Sequence, residues 1–90
     1  MSGRNRYDEH ASLVEQMAEV LGVDLTEETM AGRWTPEDMQ ATVNRCLGCT
    51  DPDHCKGWLQ GNRPGESDTT PGYCRNKELL EAMRARLASA

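Results

Sequence analysis

The sequence predicts an all-α fold, a compact bundle of four to five short helices stapled by a four-cysteine metal site, and three observations carry that expectation. Apolar residues recur at helical spacing at Leu13, Val14, Met17, Val20 and Leu21. A side chain able to cap a helix stands directly before proline twice, at Thr35-Pro36 and Asp51-Pro52, which is how helices commonly open. No segment alternates apolar and polar residues as a half-buried strand does.

Residues 1–7 read as a disordered start to a single domain spanning 1–90. The first helix follows and ends at Gly22, a residue that adopts a left-handed conformation at little cost; His10 is expected to cap it or to face solvent. Asp24 opens a short second helix, with Glu27 three positions on in a capping-box-like relation, and Gly32 stops it. The acid pairs Glu27/Glu28 and Glu37/Asp38 fall at helix starts, where capping explains them. Thr35-Pro36-Glu37-Asp38 opens a third helix whose apolar face is Met39, Val43, Cys46 and Leu47. Gly48 ends it and Cys49 lies just past the stop. Asp51-Pro52-Asp53 opens a fourth, with Cys55, Trp58 and Leu59 on one side and His54 solvated in its first turn. Residues 61–73 have no periodicity and read as a surface loop. Asn76 is expected to cap a last helix with Leu79, Leu80, Met83 and Leu87 facing inward.

Composition explains why such a bundle wants a staple. Ninety residues with eight Leu, four Val, five Met, no Ile and no Phe make a lean core, and a domain of this size buries only roughly two-thirds of its unfolded surface. Small scaffolds add disulfides, metals or partners. Asp8, Glu9 and His10 interrupt the start where a signal peptide needs an apolar run, and no stretch approaches the roughly 20 apolar residues of a membrane span. The expectation is therefore a cytoplasmic protein with no membrane association, in a compartment where disulfides are rare. The net charge of −5 opposes attraction to phosphate backbones and speaks against nucleic acid as a partner, although Arg75, Lys77, Arg84 and Arg86 gather near the C-terminus.

The four cysteines, Cys46, Cys49, Cys55 and Cys74, follow the spacing C-x2-C-x5-C-x18-C. Two intervening residues let the first pair turn toward one centre, and Gly48 between them eases the turn and frees amides to face the sulfurs. Cys55 and Cys74 fall at the starts of predicted helices, where unpaired amides favour the thiolate. Trp58 and Tyr73 are placed to shield the centre. Four readings compete: an iron–sulfur cluster, a structural zinc, two disulfides, or an unligated reactive set. Zinc sites are usually built from two short-spaced ligand pairs, and this chain has one pair and two single cysteines, which favours a cluster of the 4Fe–4S type over one Zn2+.

The Cys46, Cys49 and Cys55 run resembles the ligand loop of DNA-glycosylase type iron–sulfur clusters, in which a further cysteine lies upstream. That local resemblance implies a cluster and nothing about DNA repair, because the glycosylase catalytic domain has no counterpart here. A broader pattern is His10-Ala11-Ser12-Leu13-Val14, then Arg45-Cys46-Leu47-Gly48-Cys49, Cys55 with Trp58-Leu59, and Tyr73-Cys74-Arg75-Asn76 before Leu79-Leu80. It resembles a family of short alphaproteobacterial four-cysteine proteins of unknown function, which implies the fold and the site and no activity.

No Ser–His–Asp set, glycine-rich phosphate loop or zinc-protease helix motif is present, so the expectation is a protein that is not an enzyme. Four thiolates complete a coordination set without His54, and Met17, Met39 and Met83 follow core spacing. The functional expectation is a small iron–sulfur protein in electron transfer or in redox, oxygen or nitric oxide sensing through a protein partner, with cluster loss coupled to partial unfolding. A zinc-stapled interaction module and a metal-free cysteine redox switch are the alternatives.

Overall fold

The computed structural model describes residues 6–49 and 51–88. Five helices follow one another: α1 (Arg6–Val20), α2 (Leu25–Met30), α3 (Pro36–Leu47), α4 (Pro52–Gln60) and α5 (Lys77–Ala88), and among the described residues there is no strand. The class is all-α, as expected. The start expected to be disordered falls mainly on residues 1–5, outside the described residues, while Arg6 and Tyr7 already belong to α1.

Helix α1 is the central element, packed against α2, α3 and α4. Its buried residues Leu13, Val14, Met17 and Ala18, with Leu21 just past its end, form one stripe, and with Val20, Val23, Leu25, Trp34, Val43, Cys55, Leu59, Leu80 and Met83 they make the core. The helix stops because Gly22 turns left-handed, at φ +79°. The Gly22 amide bonds the Glu19 carbonyl at 2.9 Å and the Val23 amide bonds Ala18 at 2.8 Å, the paired bonds of a Schellman turn. Gly32 ends α2 in the same way, at φ +80°, with the Arg33 amide reaching back to the Glu28 carbonyl at 2.9 Å.

The helix starts follow from side-chain capping. Asp24 Oδ1 accepts the Thr26 and Glu27 amides. Thr35 and Asp38 form a reciprocal capping box before Pro36. Asp51 Oδ1 accepts the His54 amide at 3.1 Å. Each such cap is worth about 1 kcal/mol.

Four residues depart from expectation. His10 lies inside α1, buried, with Nδ1 2.9 Å from the Arg6 carbonyl, because the helix begins about two turns earlier than the apolar stripe. Glu28 does not cap: its side chain is only 4% exposed and is gripped by Arg33, Nη2 to Oε2 at 2.7 Å, with Arg86 at 3.6 Å. Asn76 does not cap α5, because its side chain is used across the molecule on α3. Leu87 is 37% exposed, because it lines an open hollow with Leu21, Gly22 and Arg84 near the end of α5.

The segment 61–73 is anchored on α1. The Gly65 amide adds a second bond to the Glu19 carbonyl at 2.8 Å and the Ser67 amide bonds Val20 at 3.2 Å, so the segment takes up the carbonyl groups at the end of α1. Thr70 is buried, and Lys77 Nζ holds the Thr70 carbonyl at 3.1 Å. Cys74 therefore arrives from a seated segment.

Candidate metal centre

Three separate pieces of chain deliver the four cysteines. Cys46 occupies the last turn of α3 and Cys49 follows its stop. Cys55 sits in the first turn of α4, and Cys74 precedes α5. All four line one cavity of about 20 Å³. The same cavity is walled by Leu13, Val14 and Met17 of α1, by Leu80 of α5, and by Tyr73, Arg75 and Asn76. Of the three residues expected around the centre, Tyr73 lines the cavity; Gly48 and Trp58 lie outside its lining, Trp58 half-buried against the core.

The four cysteines carry free thiols, and burial governs their acidity. Burial pushes the Cys46 thiol up to about 12, and the proximity of Cys55, Cys49 and Cys74 adds to it. The Cys55 thiol is pushed up to about 11 by burial, then by Cys49, Cys74 and Asp51, with Lys56 opposing. This corrects the helix-start effect expected at Cys55: Asp51 already occupies the amide end of α4, and removal from water outweighs what remains of the dipole. The Tyr73 hydroxyl rises to about 12 for the same first reason, burial, followed by the nearby Cys55.

The amides of the cysteine turn do not face sulfur. The Gly48 amide bonds the Arg45 carbonyl at 3.1 Å and the Cys49 amide bonds Cys46 at 2.9 Å, so both are used in ending α3. Gly48 itself has φ −86°, a conformation open to any residue. What it supplies is space: a Cβ there would stand 3.4 Å from both the Arg45 carbonyl oxygen and Arg75 Nε.

Sequence reasoning missed the polar residues that bind these pieces together. Arg75 Nε donates to the Gly48 carbonyl at 2.7 Å, and Arg6 Nη2 donates to Leu47 at 3.0 Å. Asn76, 3% exposed, donates from Nδ2 to the Thr42 carbonyl at 3.0 Å and accepts from Arg45 Nε at 2.7 Å. The available signal was adjacency: Arg45 directly precedes Cys46, and Arg75 and Asn76 directly follow Cys74.

A family model described as a family of unknown function, DUF6455, matches residues 1–86. The chain belongs to the DUF6455 family. No curated protein and no solved structure matches it. The matched span of this DUF6455 chain contains all four cysteines and every residue that lines their cavity.

The donor set suits a soft metal centre, since four thiols share one largely apolar hollow. As they stand, no group of three or more His, Cys, Asp or Glu side chains among the described residues is placed to hold a metal ion. Coordination thus requires the cysteine side chains to turn toward a common point. His54 stays at the rim, its Nδ1 2.8 Å from the Tyr73 hydroxyl and the two rings edge to face. Among the described residues no helix is long and apolar enough to cross a membrane.

Proposed function

We propose that this DUF6455 chain is a small iron–sulfur protein in which Cys46, Cys49, Cys55 and Cys74 hold the cluster, and that it transfers electrons or senses redox state, oxygen or nitric oxide through a protein partner in the cytoplasm. The observation that carries the reading is the convergence of four thiols from three chain segments on one small cavity.

Electrostatics explains why such a convergence favours a metal. The Cys46 and Cys55 thiols resist ionisation, and each additional thiolate would repel the others. A bound cation reverses both effects, because it compensates the buried charge and draws the thiols off their protons. When bound, a cluster supplies one-electron redox chemistry at a potential set by burial and hydrogen bonding around sulfur. Leu13, Val14, Met17 and Leu80 keep one side of the site dry, Tyr73 covers another, and Arg75 brings a positive charge to the cavity wall. No catalytic step is assigned to any residue.

The size of the hollow supports a second reading. About 20 Å³ is room for roughly one water-sized body. A single Zn2+ in a purely structural four-thiolate site would fill it, with the helical surface then serving as a protein-interaction module. A cluster is larger and needs the side chains around the hollow to give way.

Absorption spectra with iron, zinc and sulfide analysis, on protein purified without oxygen, separate the two. A brown protein with iron and acid-labile sulfide in roughly equal amounts is the expected result. A colourless protein with one zinc per chain replaces the redox function with the structural one, and a protein that takes neither metal overturns both.

A further inference from the structure

Cys74 lies 25 positions beyond the Cys46/Cys49 turn, and the metal is one way to hold it there. The fold contains another. Asn76 is buried and every polar group of its amide finds α3: Nδ2 donates to the Thr42 carbonyl and Oδ1 accepts from Arg45 Nε. Arg45 Nη2 reaches Thr42 Oγ1 at 3.3 Å, and Thr42 is fully buried. One residue closer to the cysteine, Arg75 Nε holds the Gly48 carbonyl between Cys46 and Cys49. The backbone closes the segment, with the Cys74 amide on Pro71 at 3.0 Å and the Lys77 amide on Cys74 at 3.3 Å.

We infer that Asn76, seated on α3 with the help of Arg45 and Arg75, is a positioning residue that presents Cys74 to the other three thiols before any metal arrives. The backbone of the site is then preorganised, with only the cysteine side chains left to turn, and loading or losing a metal leaves the Cys74–Asn76 segment in place. This rests on the reading of the four cysteines as one site, and it changes how that site works. Ordering of the fourth ligand is done by the fold, so metal binding does not have to supply it, and the metal-free state is a folded protein with four gathered thiols.

Thiol capture in the metal-free protein tests this without reference to metal. Brief oxidation with diamide, followed by mass-spectrometric mapping, gives the ratio of Cys74-containing disulfides to the Cys46–Cys49 disulfide, which forms within one turn and serves as internal reference. Asn76→Ala, at unchanged helicity by circular dichroism, is expected to lower that ratio about tenfold, as loss of two hydrogen bonds, one buried and one half-buried, implies. Arg45→Lys and Arg75→Gln should lower it by about threefold each. Glu28→Gln, which weakens the fold away from the cysteines, should leave it unchanged.

A folded Asn76→Ala protein with the wild-type ratio overturns the inference. If Asn76→Ala fails to fold, unchanged ratios in both Arg45→Lys and Arg75→Gln overturn it, and a fall in Glu28→Gln equal to theirs does so as well. Cobalt titration provides the metal arm: wild type should give the spectrum of a four-thiolate ion and Asn76→Ala that of fewer sulfur ligands. If wild type binds cobalt, iron and zinc not at all, the metal reading fails while the disulfide ratio still decides the role of Asn76.

Discussion

The C-termini of α1 and α3 solve one problem by different means. Each leaves carbonyl groups without helical partners. At α1 the answer is mostly backbone: Gly22 turns left-handed, Val23 and Gly22 bond back to Ala18 and Glu19, and the amides of Gly65 and Ser67 take Glu19 and Val20. Arg84 Nη1 adds one bond to Leu21 at 2.8 Å. At α3 the glycine keeps a negative φ, and arginine side chains from distant segments take the last carbonyls, Arg6 on Leu47 and Arg75 on Gly48. A terminus held by backbone tolerates most side-chain changes. One held by side chains places its positioning groups where the cysteines are, and exposes the site to single substitutions.

The largest expected effects therefore fall at the α3 end. Each of Cys46→Ser, Cys49→Ser, Cys55→Ser and Cys74→Ser should lose metal and stability together, with melting temperatures lower by roughly 10 °C when a structural metal is lost. Metal analysis and thermal denaturation on the same samples check this. One variant that keeps full metal and full stability removes that cysteine from the centre. His54→Ala, at the rim, should leave metal content unchanged.

Next in size is a pair of substitutions that isolates the two glycines. Gly22→Ala forces a side chain into a left-handed position, with its Cβ 3.4 Å from Arg84 Nη1, and should cost about 1–2 kcal/mol in urea unfolding. Gly48→Ala meets no such conformational barrier, only close contact with Arg45 and Arg75, and should stay within about 0.5 kcal/mol while weakening metal binding by displacing Arg75. Equal losses of stability at the two positions would erase the distinction between the two ends.

This contrast also explains how much was legible in the sequence. The starts of α2, α3 and α4 are written locally, in Asp24, Thr35-Pro36 and Asp51-Pro52, and so are the stops at Gly22 and Gly32; each depends on neighbours within a few positions. The cysteine spacing likewise announced one centre, and the four do line one cavity. What could not be read was long-range. Asn76 has the sequence context of a helix cap, and only the seating of the Cys74–Asn76 segment on α3 gives its amide better partners 31 and 34 residues away. Glu28 looked like a capping acid because Arg33 and Arg86 meet it only after α2 has turned and α5 has docked. The acidity expected of Cys55 failed for a related reason: position on a helix is a local property, whereas burial is not.

A smaller effect lies at the far side of α2. The Arg33 guanidinium hydrogen-bonded to Glu28 holds its carboxyl below the ordinary value of 4.5, against the opposing effect of burial, with the charges of Arg33 and Arg86 adding to the lowering. A carboxyl with a lowered pKa in the folded state binds fewer protons there than when unfolded, so its stabilisation is present above about pH 4.5 and fades as pH falls through the folded value. Wild type should lose stability between about pH 5 and 3 more steeply than Glu28→Gln, the two curves converging in acid. Parallel curves in urea denaturation at stepped pH would mean that Glu28 contributes no charge-dependent stability.

The smallest expected effect is at Tyr73, and it separates two ways of closing the cavity. The tyrosine ring lines the hollow, whereas its hydroxyl bonds His54, an exposed residue. A hydrogen bond open to water contributes little because water replaces either partner. Tyr73→Phe keeps the ring and should shift stability by no more than about 0.5 kcal/mol, leaving the alkylation rate of the metal-free thiols within about twofold of wild type. Tyr73→Ala removes the wall itself and should accelerate alkylation clearly beyond that. If the phenylalanine variant reacts as fast as the alanine variant, the Tyr73–His54 bond is what shuts the cysteines away from solvent, and His54 moves from bystander at the rim to part of the closure.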